Sequence, residues 1–431
     1  MRDLLIFALV FGLIPFILKR PAIGIFAYSW ISLMNPHRLA YGAAYDFPFA
    51  ALIVAVTFAG IVFSKEPKRL PVVPVTVVLL LFICWTTFTA LFALEPERAW
   101  IEWNRVMKTF LMTLVAMYVI QSEKDIKAFA WVLGLSLGFY GLKGGVFTIL
   151  SGGVNRVYGP LESYIADNNH LALALLISLP LLWFLVLQVQ KKWQRYTLLG
   201  IAGLTLLSVV GTYSRGAFLG GIAMLAILWL KSRHKLGTGL AVLIAVPIAL
   251  SLMPPEWFER MYTIKDYAED DSALGRINAW LYAMNLASHH FLGGGFDVFT
   301  PRLFLVYAPE PLRFHAAHSI YFQVLGEHGY VGLSLYILLM ICAWRSCSRV
   351  IKASKKSVDL KWAGDLAAMS QVSLVGYIVG GAFLSLAYFD YYYYILAMIV
   401  LLEKFVAAKG SHVLASSREG VLSEPSKLQQ S

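Results

Sequence analysis

Charged residues are scarce in this chain: only 14% of its 431 residues are Asp, Glu, Lys or Arg, against about 25% in an ordinary soluble domain. Cysteine is scarce too, and the three cysteines show neither the spacing of a metal site nor that of a disulfide framework. So little charge is incompatible with a soluble enzyme.

Apolar residues are abundant instead, at 59% of the chain with a mean hydropathy of +0.67. Apolar stretches of about 15 to 25 residues recur along the sequence, as in membrane-spanning helices. We therefore predict an all-α polytopic integral membrane protein with about 12 (12–13) transmembrane helices. Residues 4–34 form either one crossing or two, because the two apolar runs there are short. The predicted spans are 4–18, 22–34, 47–63, 72–93, 106–120, 126–150, 169–188, 196–212, 216–230, 236–253, 318–344, 366–387 and 391–407.

One long polar insertion divides the apolar segments. Residues 1–253 are predicted to be N-terminal transmembrane helices, 254–317 a large periplasmic loop containing helices, and 318–407 C-terminal transmembrane helices. Residues 408–431 are polar and predicted to be a disordered cytoplasmic tail.

Lys and Arg are distributed unevenly between alternate loops: one set of loops holds nineteen of them, and the other, without the long insertion, holds six. Because Lys and Arg collect in short cytoplasmic loops, the first set is predicted to be inside and the long insertion outside. The net charge of +11 thus reflects topology and not nucleic-acid binding. The other loops predicted to be outside are 35–46, 94–105, 151–168, 213–215 and 388–390.

Within the insertion, a helix is predicted from Ser272, a plausible N-cap, to His290, ending before three consecutive glycines. Arg276 and Trp280 lie on the face opposite its apolar stripe. Taken alone, Arg276 is typical of a solvated surface charge. The stripe comprises Leu274, Ile277, Leu281 and Met284.

Arg215 lies in a very short predicted outer turn, directly before a helix. An arginine there can form paired hydrogen bonds to phosphate, and a helix N-terminus also attracts anions. The alternative is a side chain that only anchors the helix at the membrane boundary.

Arg156 and Asn168 belong to a glycine-rich predicted outer loop and the start of the next span. The glycines allow close approach of a ligand, and Asn168 could bond sugar hydroxyls. Alternatively, Asp167 or Asn168 merely caps the helix.

His318 lies where the long insertion re-enters the membrane, at the same predicted depth as Arg215. A helix N-terminus favours the neutral imidazole that a general base requires. On a continuous helix Gly329, eleven residues later, lies almost three turns along the same face, where glycine also permits close helix packing.

Three other ionisable residues are candidates because charge is costly in lipid: Lys143 and Glu327, which can snorkel to the outer boundary, and Asp390, which can orient a base or pair with an arginine. The tyrosines at 391–394 are typical of a membrane-interface aromatic belt.

The order of these motifs resembles the O-antigen ligase family, whose wider superfamily includes O-antigen polymerases and protein O-oligosaccharyltransferases. The N-terminal part, with Asn35-Pro36-His37-Arg38, resembles a subgroup of O-glycosylation ligases associated with exopolysaccharide and exosortase systems. The supporting motifs are Ser214-Arg215-Gly216, Arg276 with Trp280, His290-Phe-Leu-Gly-Gly-Gly295, His318-Ser319 and Gly329-Tyr-Val-Gly332.

The resemblance implies a periplasmic-face glycosyltransferase of the bacterial inner membrane that acts in lipopolysaccharide biosynthesis. It would move a preassembled glycan from undecaprenyl diphosphate to a lipid A-core sugar hydroxyl, without cofactor or metal and with inversion. His318 would be the general base. Arg215 and Arg276 would bind the diphosphate, with Arg156 assisting and Asp390 as an orienting carboxylate.

Two other interpretations stay open. A polymerase or a protein O-oligosaccharyltransferase shares the donor chemistry and differs in acceptor. A lipid-linked glycan transporter or flippase belongs to another class, but transporters tend to show internal repeats and midplane binding residues. The candidate residues here gather at one boundary, which favours an enzyme.

Overall fold

The computed structural model describes residues 2–231, 235–262 and 271–422, and within these ranges the regular structure is entirely helical. The all-α prediction is confirmed for this part of the chain. The α-helices are α1 (Arg2–Lys19), α2 (Pro21–Met34), α3 (Phe49–Phe63), α4 (Pro74–Ala90), α5 (Pro96–Val119), α6 (Glu123–Leu150), α7 (Asn168–Gln188), α8 (Lys192–Gly211), α9 (Arg215–Lys231), α10 (Lys235–Ser251), α11 (Pro255–Tyr262), α12 (Asp271–His289), α13 (Pro301–Tyr307), α14 (Ile320–Ser354), α15 (Lys361–Gly380) and α16 (Asp390–Leu422). Short 3₁₀ turns occupy Pro36–Leu39, Val358–Leu360 and Gly381–Phe383.

Several of these helices are long and apolar enough to cross a membrane, as a multi-pass membrane protein requires. Three shorter apolar helices, α2, α3 and α4, accompany them. The total of about 12 crossings stays a prediction. In the described part of the chain the five long candidates are Glu123–Leu150, Asn168–Gln188, Ile320–Ser354, Val358–Phe383 and Asp390–Lys409.

The first two helices form an antiparallel pair. Asp3 at the start of α1 accepts hydrogen bonds from the Gly42 and Ala44 amides, which follow α2. Arg20, between the two helices, pairs with Glu66 at 3.1 Å and Asp125 at 2.9 Å at the opposite end. The chain therefore reverses direction at Arg20.

Helices α9 and α14 run parallel to each other and antiparallel to α15. At one end, β-carbons added to Gly216 and Gly381 would meet Phe383 at 3.2 Å and Ile320 at 2.8 Å. At the other end, Lys231 hydrogen-bonds Gln371 of α15 and lies 4.7 Å from the Trp344 ring of α14. The N-termini of α9 and α14 thus flank the C-terminus of α15.

Helix α12 is present as predicted, but its large apolar side chains do not face the protein interior. Ile277, Leu281 and Met284 are 36%, 37% and 37% exposed, whereas Ala279 and Ala283 are fully buried. The small residues allow close backbone approach to α14, so the larger aliphatic side chains point outward.

Helix α14 is not continuous, so the prediction that Gly329 follows His318 on one helical face is wrong. Gly329 has φ 66° and ψ −171°, which breaks the helix. The Gly294 and Gly295 amides each donate at 2.8 Å to a carbonyl of α14 directly before the break, that of Gly326 and that of Glu327. The glycines of the 254–317 insertion therefore complete the backbone hydrogen bonding of the kink.

The tyrosine run does not form an exposed aromatic belt. Tyr391 through Tyr394 are all fully buried, and Tyr392 stacks on Tyr377 with ring centroids 4.1 Å apart. Internal helix packing, and not the lipid boundary, accounts for them.

The C-terminal tail was predicted to be disordered from residue 408, but α16 continues as a helix to Leu422. The segment contains alanine, leucine, lysine and glutamate, which favour helix. Residues 423–431 lie outside the described residues.

Candidate functional site

His318 is held directly before α14 in an unusual backbone conformation. Its φ is 41°, in the left-handed region that few residues other than glycine adopt. Its amide donates to the Ser385 hydroxyl oxygen at 2.8 Å, and the preceding Ala317 carbonyl accepts from the Trp280 indole at 2.8 Å. Two elements distant in sequence therefore hold the same peptide bond, between Ala317 and His318, one at its carbonyl and the other at its N–H.

The surroundings of His318 favour a neutral ring. Burial lowers its pKa to about 4, and the nearby Arg276 charge, His315 and His170 act in the same direction, opposed by Asp167. The His315 ring lies 4.9 Å from the His318 ring. The buried Nδ1 of His318 has no hydrogen-bond partner in the described part of the chain. The imidazole is thus unprotonated at neutral pH and able to accept a proton.

Arg215 begins α9, immediately after Ser214, whose hydroxyl accepts from the Ala217 amide at 3.3 Å as an N-cap. The next residue, Gly216, packs against Phe383 of the 3₁₀ turn that follows α15. The same turn contacts Ile320 at the start of α14. Arg215 and His318 therefore lie at the same end of the helix bundle, at the N-termini of two helices that contact the same 3₁₀ turn.

Arg156 and Asn168 both contact the turn that precedes Arg215. The Arg156 guanidinium lies 5.6 Å from the Tyr213 ring, and the Asn168 amide donates to the Thr212 carbonyl at 2.7 Å. Asp167 caps α7, because its side chain accepts hydrogen bonds from the Asn169 and His170 amides. The structure thus uses the Asn168 amide within the protein, to hold the turn that carries Arg215.

Asp390 lies apart from this group. Its carboxylate accepts hydrogen bonds from Ser32 and Thr109, on α2 and α5. It does not contact His318, whose backbone is held by Ser385 instead. The geometry therefore joins Asp390 to the N-terminal helices and gives no direct support for an orienting role.

Glu327 does not snorkel to a boundary; it is 2% exposed and belongs to a buried polar network. The Tyr388 hydroxyl donates to Glu327 at 2.5 Å and lies 2.8 Å from Nε2 of His328. Thr89 lies 2.6 Å from the other ring nitrogen of that histidine. The network connects α4, α14 and the segment after α15, and its α14 residues directly precede the kink at Gly329.

Several residues around His318 escaped the sequence reasoning. His315, three residues earlier, could have been noticed as the first histidine of a His-Ala-Ala-His sequence, and His170 as the residue after two asparagines. Ser385 carries no local signal, because its importance comes only from the folding of the segment after α15 against the start of α14.

Comparison with known families divides the chain into two matched regions. Residues 1–189, which include Arg156 and Asn168, match a family of unknown function (DUF5935). Residues 200–337 match the O-antigen ligase family. No curated protein matches the chain.

The second match contains Arg215, Arg276 and His318, the three residues that the sequence pattern placed at one membrane boundary. Ser385 and Asp390 fall outside both matched regions. The match over residues 200–337 supports membership of the chain in the O-antigen ligase family.

Proposed function

We propose that this protein is a metal-independent glycosyltransferase acting at the periplasmic face of the bacterial inner membrane. It transfers a preassembled glycan from undecaprenyl diphosphate to a sugar hydroxyl of the lipid A-core. The observation that carries the proposal is the geometry of His318, a largely buried, neutral imidazole beside Arg276 at the end of the bundle where α9 and α14 begin.

Family membership supports the general class, since the O-antigen ligase family implies a glycosyl-transferring ligase or polymerase. The helical, apolar architecture supports a membrane-bound, lipid-linked donor. The uneven distribution of Lys and Arg supports a periplasmic site, because the short loops predicted on the same side as His318 and Arg215 contain few basic residues.

The chemistry requires a base and an anion site. His318 removes the proton from the acceptor hydroxyl, and the resulting oxygen attacks the anomeric carbon of the donor sugar. The bond from that carbon to the diphosphate oxygen breaks, and undecaprenyl diphosphate leaves. Attack from the face opposite the leaving group inverts the anomeric carbon.

Arg215 and Arg276 stabilise the charge that develops on the departing diphosphate. Arg215 also begins a helix, whose N-terminal amides favour anions. Arg156 assists from a loop that packs against Tyr213, two residues before Arg215. The pKa that keeps His318 neutral is lowered first by burial, and the nearby Arg276 charge lowers it further.

The decisive experiment is transfer in vitro with purified protein, a defined undecaprenyl-diphosphate glycan and alternative acceptors. We expect product on lipid A-core with wild-type protein and none with His318→Ala. Exposed His289, at the end of α12, provides the control, because His289→Ala should transfer normally.

Near-normal transfer by His318→Ala would overturn the assignment of the base. Product on a lengthened donor would indicate a polymerase, and product on polypeptide would indicate a protein O-oligosaccharyltransferase. Movement of the intact donor across a vesicle membrane without transfer would indicate a flippase.

A further inference from the structure

The backbone at His318 is held in a conformation that it would not readily keep by itself. At φ 41° the β-carbon of a residue other than glycine is crowded by its own backbone. Strained residues of this kind persist only where surrounding contacts determine them. The contacts at His318 should therefore be identifiable, and they should matter to the position of the ring.

Two side chains that are far apart in sequence supply these contacts. Trp280 of α12 donates its indole N–H to the carbonyl of Ala317 at 2.8 Å, and its ring stacks on Phe322 of α14 with centroids 5.0 Å apart. Ser385 accepts the His318 amide at 2.8 Å. Both contacts thus hold the one peptide bond between Ala317 and His318: Trp280 binds its carbonyl oxygen, and Ser385 accepts its N–H. Because α14 begins two residues later, at Ile320, this peptide and the helix together set the backbone angles of His318.

We propose that Ser385 is a positioning residue for glycosyl transfer, holding the His318 peptide in the left-handed conformation and so fixing the imidazole beside Arg276. The inference rests on the function proposed above. It concerns a residue beyond the region that matches the O-antigen ligase family, which ends at residue 337.

The location of Ser385 explains how it can act at this distance in sequence. The segment after α15 follows α14 and contacts it repeatedly: beyond Ser385, the Ala387 amide donates to Gln323 at 3.2 Å and Tyr388 donates to Glu327 at 2.5 Å. Ser385 is the member of this series that reaches the His318 backbone. Its loss should therefore free His318 while the other contacts keep the segment in place.

The test compares Ser385→Ala with Ser385→Thr, which retains a hydroxyl acceptor. We expect Ser385→Ala to lower kcat by about 10- to 100-fold, as small displacements of catalytic groups do. The KM for the lipid-linked donor should stay within about threefold of wild type, because the arginines are unchanged. Ser385→Thr should restore most of kcat, whereas a serine with a purely steric role would not require the hydroxyl.

The pH profile supplies a second readout. His318 is faced by Arg276 from α12, His315 from its own loop, and His170 and Asp167 from the start of α7. If Ser385→Ala lets the ring move away from these groups and toward water, the acid limb of kcat/KM should move upward, from about 4 toward 6.5. A defect in folding alone would not move this limb.

Ser373→Ala is the matched control, because the Ser373 hydroxyl donates to the Ile177 carbonyl at 2.8 Å and joins α15 to α7 away from His318. It should keep wild-type kcat and pH profile. If Ser385→Ala does not fold, Ser385→Cys tests the same contact, because a thiol is only a weak hydrogen-bond acceptor; a normal kcat there would overturn the inference.

Wild-type kcat in Ser385→Ala, or equal losses in Ser385→Ala and Ser385→Thr, would also overturn it. His318→Ala separates this failure from failure of the proposed function. If His318→Ala is inactive and Ser385→Ala is normal, only the positioning role fails. If His318→Ala remains active, the proposed base itself is wrong.

Discussion

Gly293 packs directly on the backbone of Gly329, so that a β-carbon on Gly293 would lie 2.6 Å from the Gly329 nitrogen. The reverse contact is as close, since a β-carbon on Gly329 would lie 2.3 Å from the carbonyl oxygen of Phe291. The backbones of the outer loop and α14 meet here without intervening side chains. Two glycine motifs far apart in sequence therefore form one joint, which sets the direction of the part of α14 that follows His318.

Gly329→Ala should break this joint. Its φ of 66° with ψ of −171° is a conformation that only glycine adopts readily, and the added methyl would also meet the Phe291 carbonyl. We expect a loss of at least about 2 kcal/mol in unfolding free energy, measured by denaturant unfolding in detergent, together with loss of transfer.

Gly200→Ala on α8 is the control, since a β-carbon there meets nothing within 4 Å. It should be neutral or stabilising by up to about 1 kcal/mol. Wild-type unfolding of Gly329→Ala would show that the kink is not required.

Tyr388→Phe should destabilise the buried polar network of Glu327 and His328, which lies next to the joint between Gly293 and Gly329. Because Tyr388 donates its hydrogen to Glu327, its oxygen can only accept from Nε2 of His328, whose other ring nitrogen lies 2.6 Å from the Thr89 hydroxyl. Removing the hydroxyl leaves two buried polar groups without their partner, at a cost of about 3 kcal/mol. Thermal unfolding in detergent measures the effect.

Tyr158→Phe provides the comparison, because Tyr158 is 58% exposed and should change stability little. Equal unfolding temperatures for the two variants would contradict the importance of the network.

Much of the helical layout follows from the sequence because lipid requires long apolar runs with internally satisfied backbone groups. The outer-loop helix was predicted from its cap and its stop: it begins at Asp271, one residue before the expected cap, and ends at His289. Its inward face was not predictable from hydrophobicity. Large aliphatic residues such as Ile277 face outward, while Ala279 and Ala283 pack inside, because small residues allow helices to approach closely.

The site was predictable in part for a similar reason. Charge is rare at this boundary, which singled out Arg215 and His318. Their environment depends on long-range packing: nothing local indicates that Ser385 holds His318, or that Asp390 binds Ser32 and Thr109. Likewise, glycine at 329 was expected on a straight helix, whereas its positive φ marks a break.

The pH dependence of transfer should show a base with an unusually low pKa. His318 accepts a proton only while neutral, and its pKa is lowered to about 4 by burial and by the Arg276 charge. As pH rises, kcat/KM should therefore increase through about 4 and stay level through 6.5, where an exposed histidine would titrate. The measurement is kcat/KM against pH with the lipid-linked donor limiting. An acid limb at 6.5 would indicate that the ring is exposed or that another group is the base.

Arg215→Lys separates the two explanations that the sequence leaves for this arginine. A lysine keeps the positive charge and anchors a helix at a membrane boundary as well as arginine does, so an anchoring role predicts unchanged transfer. A diphosphate site depends on the planar guanidinium, which forms two parallel hydrogen bonds to phosphate where lysine acts as a point charge. We therefore expect kcat/KM for the lipid-linked donor to fall about tenfold or more.

The control for Arg215→Lys is Arg302→Lys, because Arg302 pairs with Glu95 at 2.8 Å and is 69% exposed. It should transfer normally. Since both substitutions preserve net charge, a loss confined to Arg215→Lys cannot come from altered topology or from the general field at this surface. Such a loss would show that transfer requires the planar guanidinium at the N-terminus of α9. Equal activity of the two variants would instead leave Arg215 as an anchor and remove it from the proposed diphosphate site.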